Sequence, residues 1–355
     1  MNLDDSKVIK IYDKSGMLEV IETFPRQCSD AAGIGGSFGL VSSFIRDYKN
    51  IVCTGLGGSA IGSDIARSYI ADRSKTPLFV NRNYALPGFV NSDSLVIASS
   101  YSGNTEETLS AYADAKKKNA KIIVISSGGE LTRIASEDGF PVLKIPAGLQ
   151  PRCALGYSFF PLIIILSKIK AIEDESGNID DAITVLESLR DKSIGFKIPE
   201  DKNIAKKIAK SLYGRFPVIY AGQDHIDCVV TRWRGEISEN SKTLSSGHVL
   251  PEMNHNEIVG WENPAKLLKD FTVVILRDSD DNPRVAKRMD ITKKILAKAD
   301  IKVTEVNSLG SSLLARMLSL IYTGDFVSFY LAILNKCDPT PVERITYLKK
   351  ELAKA

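Results

Sequence analysis

The amino-acid sequence predicts an α/β fold of two similar lobes, each a mainly parallel sheet flanked by helices. Three observations predict it. Short β-rich runs alternate with longer segments of helical periodicity. Strand, glycine- or serine-rich turn and helix recur in that order in the first half, and the second half repeats the plan. The chain has 355 residues, which at about 100 to 200 residues per domain suits two domains, each able to bury an ordinary core.

Taken in order, residues 1–30 are expected to form an N-terminal helical extension, residues 31–192 the first lobe with a helical connector, and residues 193–355 the second lobe with a C-terminal helical segment. In the first lobe the run 51–54 leads through Gly55, Gly57 and Gly58 into a helix over 60–70. A strand at 95–98, a Ser-rich turn, a helix over 104–118 and a strand at 121–125 make one βαβ unit. A strand-like run follows at 142–145, and the stretch 157–189 is helix-rich with a polar, Gly-containing break at 173–178. The boundary is placed within about ten residues of Lys192. In the second lobe the spacing predicts a strand over 217–221 ending at Gly222, a helix over 226–240, a strand over 271–276, a helix over 283–297 and a strand over 301–306.

Composition narrows the functional classes. With 46 Lys plus Arg against 43 Asp plus Glu, the net charge is +3, and 25% charged with 44% hydrophobic residues is the profile of a globular chain. So small a net charge argues against a surface devoted to nucleic acid or membrane, and neither partner is expected. The longest strongly apolar segment is read at 153–166, interrupted by Gly156, Ser158 and Pro161, and it falls short of the roughly 20 residues of a spanning helix. The first thirty residues contain Asn2, Asp4 and Asp5 and no apolar stretch with a cleavage site, so a cytoplasmic location is expected. Cys28, Cys53, Cys153, Cys228 and Cys337 are scattered without a CxxC pair, and only three histidines are available, so neither a metal nor another cofactor is expected.

Two turns carry the chemistry. Gly55-Leu56-Gly57-Gly58-Ser59-Ala60 can bring backbone N–H groups close to an anion at a helix N-terminus. It fits a dinucleotide fingerprint only loosely, with Ala60 at the last position and Asp72 as the nearest acid, and a tight structural turn explains it nearly as well. Ser99-Ser100-Tyr101-Ser102-Gly103-Asn104-Thr105 adds several hydroxyl donors at the carboxyl end of a strand. Thr105 with Glu106 and Glu107 behind it would also serve as an ordinary helix N-cap. One cap does not need four hydroxyls, and hydroxyls without a nearby Lys suit a phosphate monoester on a small molecule.

Gly57-Gly58-Ser59 together with Ser100-Tyr101-Ser102-Gly103-Asn104-Thr105-Glu106 resembles the sugar isomerase (SIS) domain, whose S-x-S-G-x-T turn grips a sugar phosphate. Gln150-Pro151-Arg152, Ser238-Glu239-Asn240-Ser241-Lys242 and Pro251-Glu252-Met253-Asn254-His255-Asn256-Glu257 extend the likeness, and two such lobes resemble the bifunctional phosphoglucose/phosphomannose isomerases. The resemblance covers the chain from about residue 30 to the C-terminus. It implies Gly58, Ser59, Ser100, Ser102, Thr105 and Arg152 as substrate-binding residues, and Glu239, His255 and Lys349 as catalytic ones.

Each of these residues also has an ordinary structural reading. Aldose–ketose isomerisation needs a carboxylate placed about 3 Å from the transferred proton. Glu239 and Glu236 lie three apart near the end of one helix and both could be solvated helix carboxylates; the motif favours Glu239. His255 can exchange a proton near neutral pH in ring opening, and the resemblance implies that it enters the site from a partner subunit of a homodimer. Arg152 suits either a sugar phosphate or a surface ion pair. Lys349 matches the family's C-terminal Lys, with Lys350 adjacent, although Lys is common at helix ends. The second lobe has Gly222-Gln223-Asp224-His225 and Arg277-Asp278-Ser279-Asp280 where the first has its two turns, so one phosphate site per chain is expected.

The expected activity is interconversion of glucose 6-phosphate and mannose 6-phosphate with fructose 6-phosphate through a cis-enediol, without metal or cofactor. A SIS-type sugar-phosphate sensor without catalysis is the alternative. A dehydrogenase holding a dinucleotide at the glycine turn is the third reading.

Overall fold

A computed structural model describes residues 1–223, 225–352 and 354. The chain forms two compact units: Thr23–Val185 with Gly310–Arg316, and Met1–Glu22 with Leu186–Leu309 and the chain from Met317 onward.

The first unit is built on a five-stranded parallel sheet of β1 (Asn50–Thr54), β2 (Leu78–Asn81), β3 (Ser94–Ser100), β4 (Lys121–Ser126) and β5 (Val142–Lys144), in the order β2-β1-β3-β4-β5. Every residue of β1 and β3 is buried, which is why both read as unbroken apolar runs rather than alternating ones. Val52, Val96, Ile122 and Val124 pack with Tyr112 of the helix Glu106–Lys117 and Leu131 of the helix Gly129–Glu137 to form the core. From β1 the chain runs outward to β2, and from β3 it runs the other way through β4 to β5. The order in which strands are added therefore reverses between β1 and β3, where open α/β sheets leave a crevice at their carboxyl ends.

The second unit holds a four-stranded parallel sheet of β6 (Phe216–Gly222), β7 (Ser246–Leu250), β8 (Phe271–Arg277) and β9 (Lys302–Asn307), ordered β7-β6-β8-β9. This repeats β2-β1-β3-β4 strand for strand, the topology expected of a duplicated lobe. The strands and helices expected from the sequence in both lobes are present to within a few residues. The edge strands β2 and β7 were not expected, because Leu78-Phe79-Val80-Asn81 is short and Ser246-Gly247-His248-Val249-Leu250 carries Gly and His in place of a β-branched run.

The apolar segment at 153–166 is not the longest. The helix Leu313–Leu334 spans 22 residues with a mean hydropathy of 1.6, long and apolar enough to cross a membrane by length and composition, yet it is fully buried inside the fold. Ser, Thr, Gly and Asp residues break its run in the sequence. In the folded chain polar side chains among them are matched: Asp325 pairs with Arg232, Ser328 Oγ accepts from Asn240 Nδ2 at 2.9 Å, and Thr323 Oγ1 donates to the Ser319 carbonyl at 2.8 Å.

The N-terminal segment is tied to the second unit by Lys206, which is wholly buried. Its ammonium donates to Asp4 Oδ1 at 2.8 Å and to the carbonyls of Phe196 at 2.9 Å and Ile198 at 2.8 Å. A buried charge is tolerated only when its donors are satisfied in this way.

Candidate active site

At the reversal point of the first sheet, β1 ends in the glycine turn and β3 in the serine turn. Ser59 Oγ accepts from Tyr101 N at 3.1 Å and so joins the two. Ser100 Oγ lies 2.9 Å from Thr105 Oγ1 and accepts from Gly103 N at 3.1 Å. Thr105 occupies the N-cap position of the helix Glu106–Lys117 but makes no side-chain cap bond. The ordinary cap reading of Thr105 is thereby displaced: its hydroxyl belongs to the turn, beside the positive end of the helix dipole. Ser102 is exposed, and its Oγ accepts from Asn104 N at 3.3 Å. Asp72, the acid of the loose dinucleotide fingerprint, sits in the turn after the helix Gly57–Ile70, not at a strand end.

A third turn, Ser126-Ser127-Gly128-Gly129 after β4, braces the serine turn and was not singled out from the sequence. Ser127 donates to the Tyr101 carbonyl through its N–H at 3.1 Å and its hydroxyl at 2.6 Å. Gly103 has φ +71°, and a Cβ there would lie 1.8 Å from the Gly128 carbonyl oxygen. Only glycine allows the two turns to meet backbone to backbone.

Arg152 is buried, on the short 3-10 turn Pro151–Cys153. A Cβ on Gly58 would fall 2.3 Å from the Pro151 carbonyl oxygen, so the missing side chain of Gly58 is what lets this turn close on the glycine loop. Gln27, which the sequence did not point to, donates to the Cys153 carbonyl and accepts from Gly156 N, both at 2.8 Å. Gly58, Ser59, Ser100, Thr105 and Arg152 thus come together in the first unit, with Ser102 on the exposed side of the same turn.

In the second unit the helix Asp227–Ser241 carries both candidate carboxylates. Glu236 is buried: Oε1 pairs with Arg232 Nη1 at 2.6 Å, and Oε2 accepts from Asn240 Nδ2 at 2.8 Å. Asn240 also donates to Ser328 Oγ at 2.9 Å, and Arg232 reaches Asp325 at 3.0 Å. Burial pushes the Asp325 carboxyl above its ordinary value while Arg232 pulls it down. Glu239, a turn later, is half-buried and lines a cavity of about 620 Å³ with Lys242, Thr243, Leu244, Asp338 and Glu343.

Lys242 closes the helix in the left-handed conformation, φ +56°. Its ammonium donates to the carbonyls of Glu239 at 2.6 Å, Asn240 at 3.3 Å and Pro339 at 3.0 Å, which joins the end of this helix to the segment leading to the C-terminus.

His255 is exposed on the 3-10 turn Glu252–His255, while its neighbours are engaged. Asn254 donates to Thr292 Oγ1 at 3.0 Å, Asn256 to Glu252 Oε1 at 2.8 Å, and Glu257 accepts from the Tyr220 hydroxyl. Lys349 lies exposed on the helix Glu343–Leu352. Among the described residues, neither His255 nor Lys349 lines the Glu239 cavity. After β8, Arg277 pairs with Asp290 and Glu305 at 2.9 and 2.7 Å, and Asp278 accepts from Ser308 Oγ at 2.6 Å, so charged side chains fill the place of a serine turn. Asp224 lies outside the described residues.

The model of the SIS domain matches residues 44–139, and that of the bacterial phospho-glucose isomerase C-terminal SIS domain matches residues 201–352. A bifunctional phosphoglucose/phosphomannose isomerase of Caldicellulosiruptor bescii is 48% identical over 337 residues, covering 95% of this chain and 99% of the relative. The chain belongs to the bifunctional phosphoglucose/phosphomannose isomerase family. A relative with the same description from Aquifex aeolicus is 39% identical, over 88% of this chain and 93% of its own. Among solved structures, a hypothetical protein from Thermus thermophilus superposes with a TM-score of 0.75 at 14% identity, covering 98% of this chain and 92% of that one. Membership accounts for both SIS lobes, and the sequence of this family member had marked the glycine and serine turns but neither the third turn beside them nor Gln27.

Proposed function

We propose that this chain interconverts glucose 6-phosphate and mannose 6-phosphate with fructose 6-phosphate, with Glu239 as the base that moves the proton between C2 and C1. The 48% identity to a bifunctional isomerase across nearly the whole of both chains carries this reading. The protein is a sugar-phosphate aldose–ketose isomerase, and its substrate is a small phosphorylated sugar. Proton removal from C2 of either aldose gives the same cis-enediol, so one base serves both reactions; return of the proton to C1 gives the ketose. The reaction is redox-neutral within one molecule.

In this reading Ser59, Ser100, Ser102 and Thr105 meet the phosphate with hydroxyls, together with backbone N–H groups at Gly58. Arg152 offsets charge on the phosphate or on the enediolate oxygen. Ring opening requires a proton to reach the ring oxygen and another to leave the anomeric hydroxyl; we assign this exchange to His255 and Lys349. The exposure of His255, on a loop whose neighbours are fixed, supports its service in the site of a second copy within a homodimer.

The occupied state of Glu236 supports Glu239. Glu236 is buried in a network with Arg232 and Asn240, whereas Glu239 lines a cavity that a small ligand could enter. Glu239→Gln is expected to lower turnover on both aldose phosphates by at least about a hundredfold, the scale of general-base catalysis, with fructose 6-phosphate binding retained. The check is a coupled assay beside a calorimetric titration. Turnover within a few-fold of the parent would remove Glu239 from the role.

A further inference from the structure

We infer that Tyr101 is a positioning residue for Arg152, coupling the anion-binding turn to the guanidinium through a single hydroxyl contact. The inference rests on the reading of Arg152 as the cation at the enediolate oxygen.

Tyr101 sits between Ser100 and Ser102, and its backbone joins three turns: its N–H donates to Ser59 Oγ, and its carbonyl accepts from Ser127 N and Ser127 Oγ. Those bonds use main-chain atoms and any residue at this position would make them. The phenol does something that only its oxygen can do. Tyr101 Oη accepts from Leu149 N at 2.9 Å, three residues before Arg152.

The approach to Arg152 shows why that contact matters. Residues 146–148 are exposed and belong to no helix or strand, so this stretch has little packing of its own. Beyond it, the turn is held in the middle by the backbone of Gly58 and at its exit by Gln27. At the entry stands the bond from Leu149 to Tyr101. The ring is half-buried, and burial holds the phenol above its ordinary value. An anion that orders the serine turn thereby orders the entry to the arginine turn, because one residue belongs to both. Such a link lets phosphate binding place a cation for the reacting end of the sugar.

The test uses the full-length protein and three variants: Tyr101→Phe, Arg152→Gln and the pair together. Inorganic phosphate serves as the probe of the cradle, through its competitive inhibition constant. Tyr101→Phe keeps the ring and every backbone bond, so the phosphate inhibition constant should stay within about twofold of the parent, which also verifies the folded cradle in the same sample. Its kcat should fall about tenfold, the scale of one buried hydrogen bond with its donor left unsatisfied. In the Arg152→Gln background the same substitution should cost no further activity, since the group it positions is gone.

Parent-like kcat in Tyr101→Phe beside an impaired Arg152→Gln overturns the inference and leaves the role of Arg152 standing. Parent-like kcat in Arg152→Gln overturns that role and the inference with it. Losses that multiply in the double variant show that Tyr101 acts independently of Arg152. A phosphate inhibition constant that rises in step with the loss of kcat makes Tyr101 part of the cradle alone. Either of these last two results also overturns the inference.

Discussion

Thr105 stands where a helix cap belongs and turns its hydroxyl to Ser100 instead, so its side chain caps none of the first-turn N–H groups. This decides what its removal does. Thr105→Ala and Ser100→Ala should each raise KM for fructose 6-phosphate by about tenfold, the scale of a hydrogen bond to a charged group, with kcat changed much less. Steady-state kinetics read the split; an unchanged KM in both variants would break the phosphate assignment. Glu236 and Glu239 show how far single residues can be read from sequence. Both lie in the same motif three apart, and nothing local separates them. What separates them is Ser328 and Asp325, nearly ninety residues away, whose side chains complete the network around Asn240 and Arg232. The family motif pointed to Glu239; the difference in surroundings between the two carboxylates appears only in the folded chain.

At the level of elements, the turns after β1, β3 and β4 form one body through main-chain contact. Gly103→Ala should therefore cost more than backbone strain. Gly139 offers the comparison: its φ is +75° and nothing lies within 4 Å of a Cβ placed there. Gly139→Ala should lower stability by about 1 kcal/mol, and Gly103→Ala by roughly 3 kcal/mol or more together with a raised KM. Denaturant titration of both variants checks this, and equal losses would mean that the approach to Gly128 is not tight. The strands beside these turns were legible because parallel, doubly covered strands concentrate apolar residues. The third turn was not, since Ser126-Ser127-Gly128-Gly129 reads as an ordinary loop until Gly103 is seen against it. The long helix Leu313–Leu334 was missed for the opposite reason: its polar residues are satisfied by distant partners, which sequence periodicity cannot register.

Over the whole molecule, two copies of one strand order were visible in the alternation of runs and turns. The attachment of residues 1–22 to the second unit was not, because it depends on a lysine buried far along the chain. Asp4 gives this attachment a pH signature. The hydrogen bond from Lys206 holds its carboxyl below the ordinary value of 3.8. The folded form thus favours the ionised acid, and the stability it contributes is present above about pH 4 and is lost as pH falls through the folded value. Asp4→Asn should lower the melting temperature at pH 7, with the difference from the parent shrinking below pH 4; a difference independent of pH would assign the effect to packing instead.

The glycine-to-backbone contacts at Gly58 and Gly103 also bear on how such a site can change over generations. A frame closed by main-chain atoms does not depend on the identity of exposed side chains such as Ser102. Descent can rewrite the exposed side chains around that frame and leave the path of its backbone unchanged. A single methyl group at Gly103, by contrast, has no neutral route to fixation.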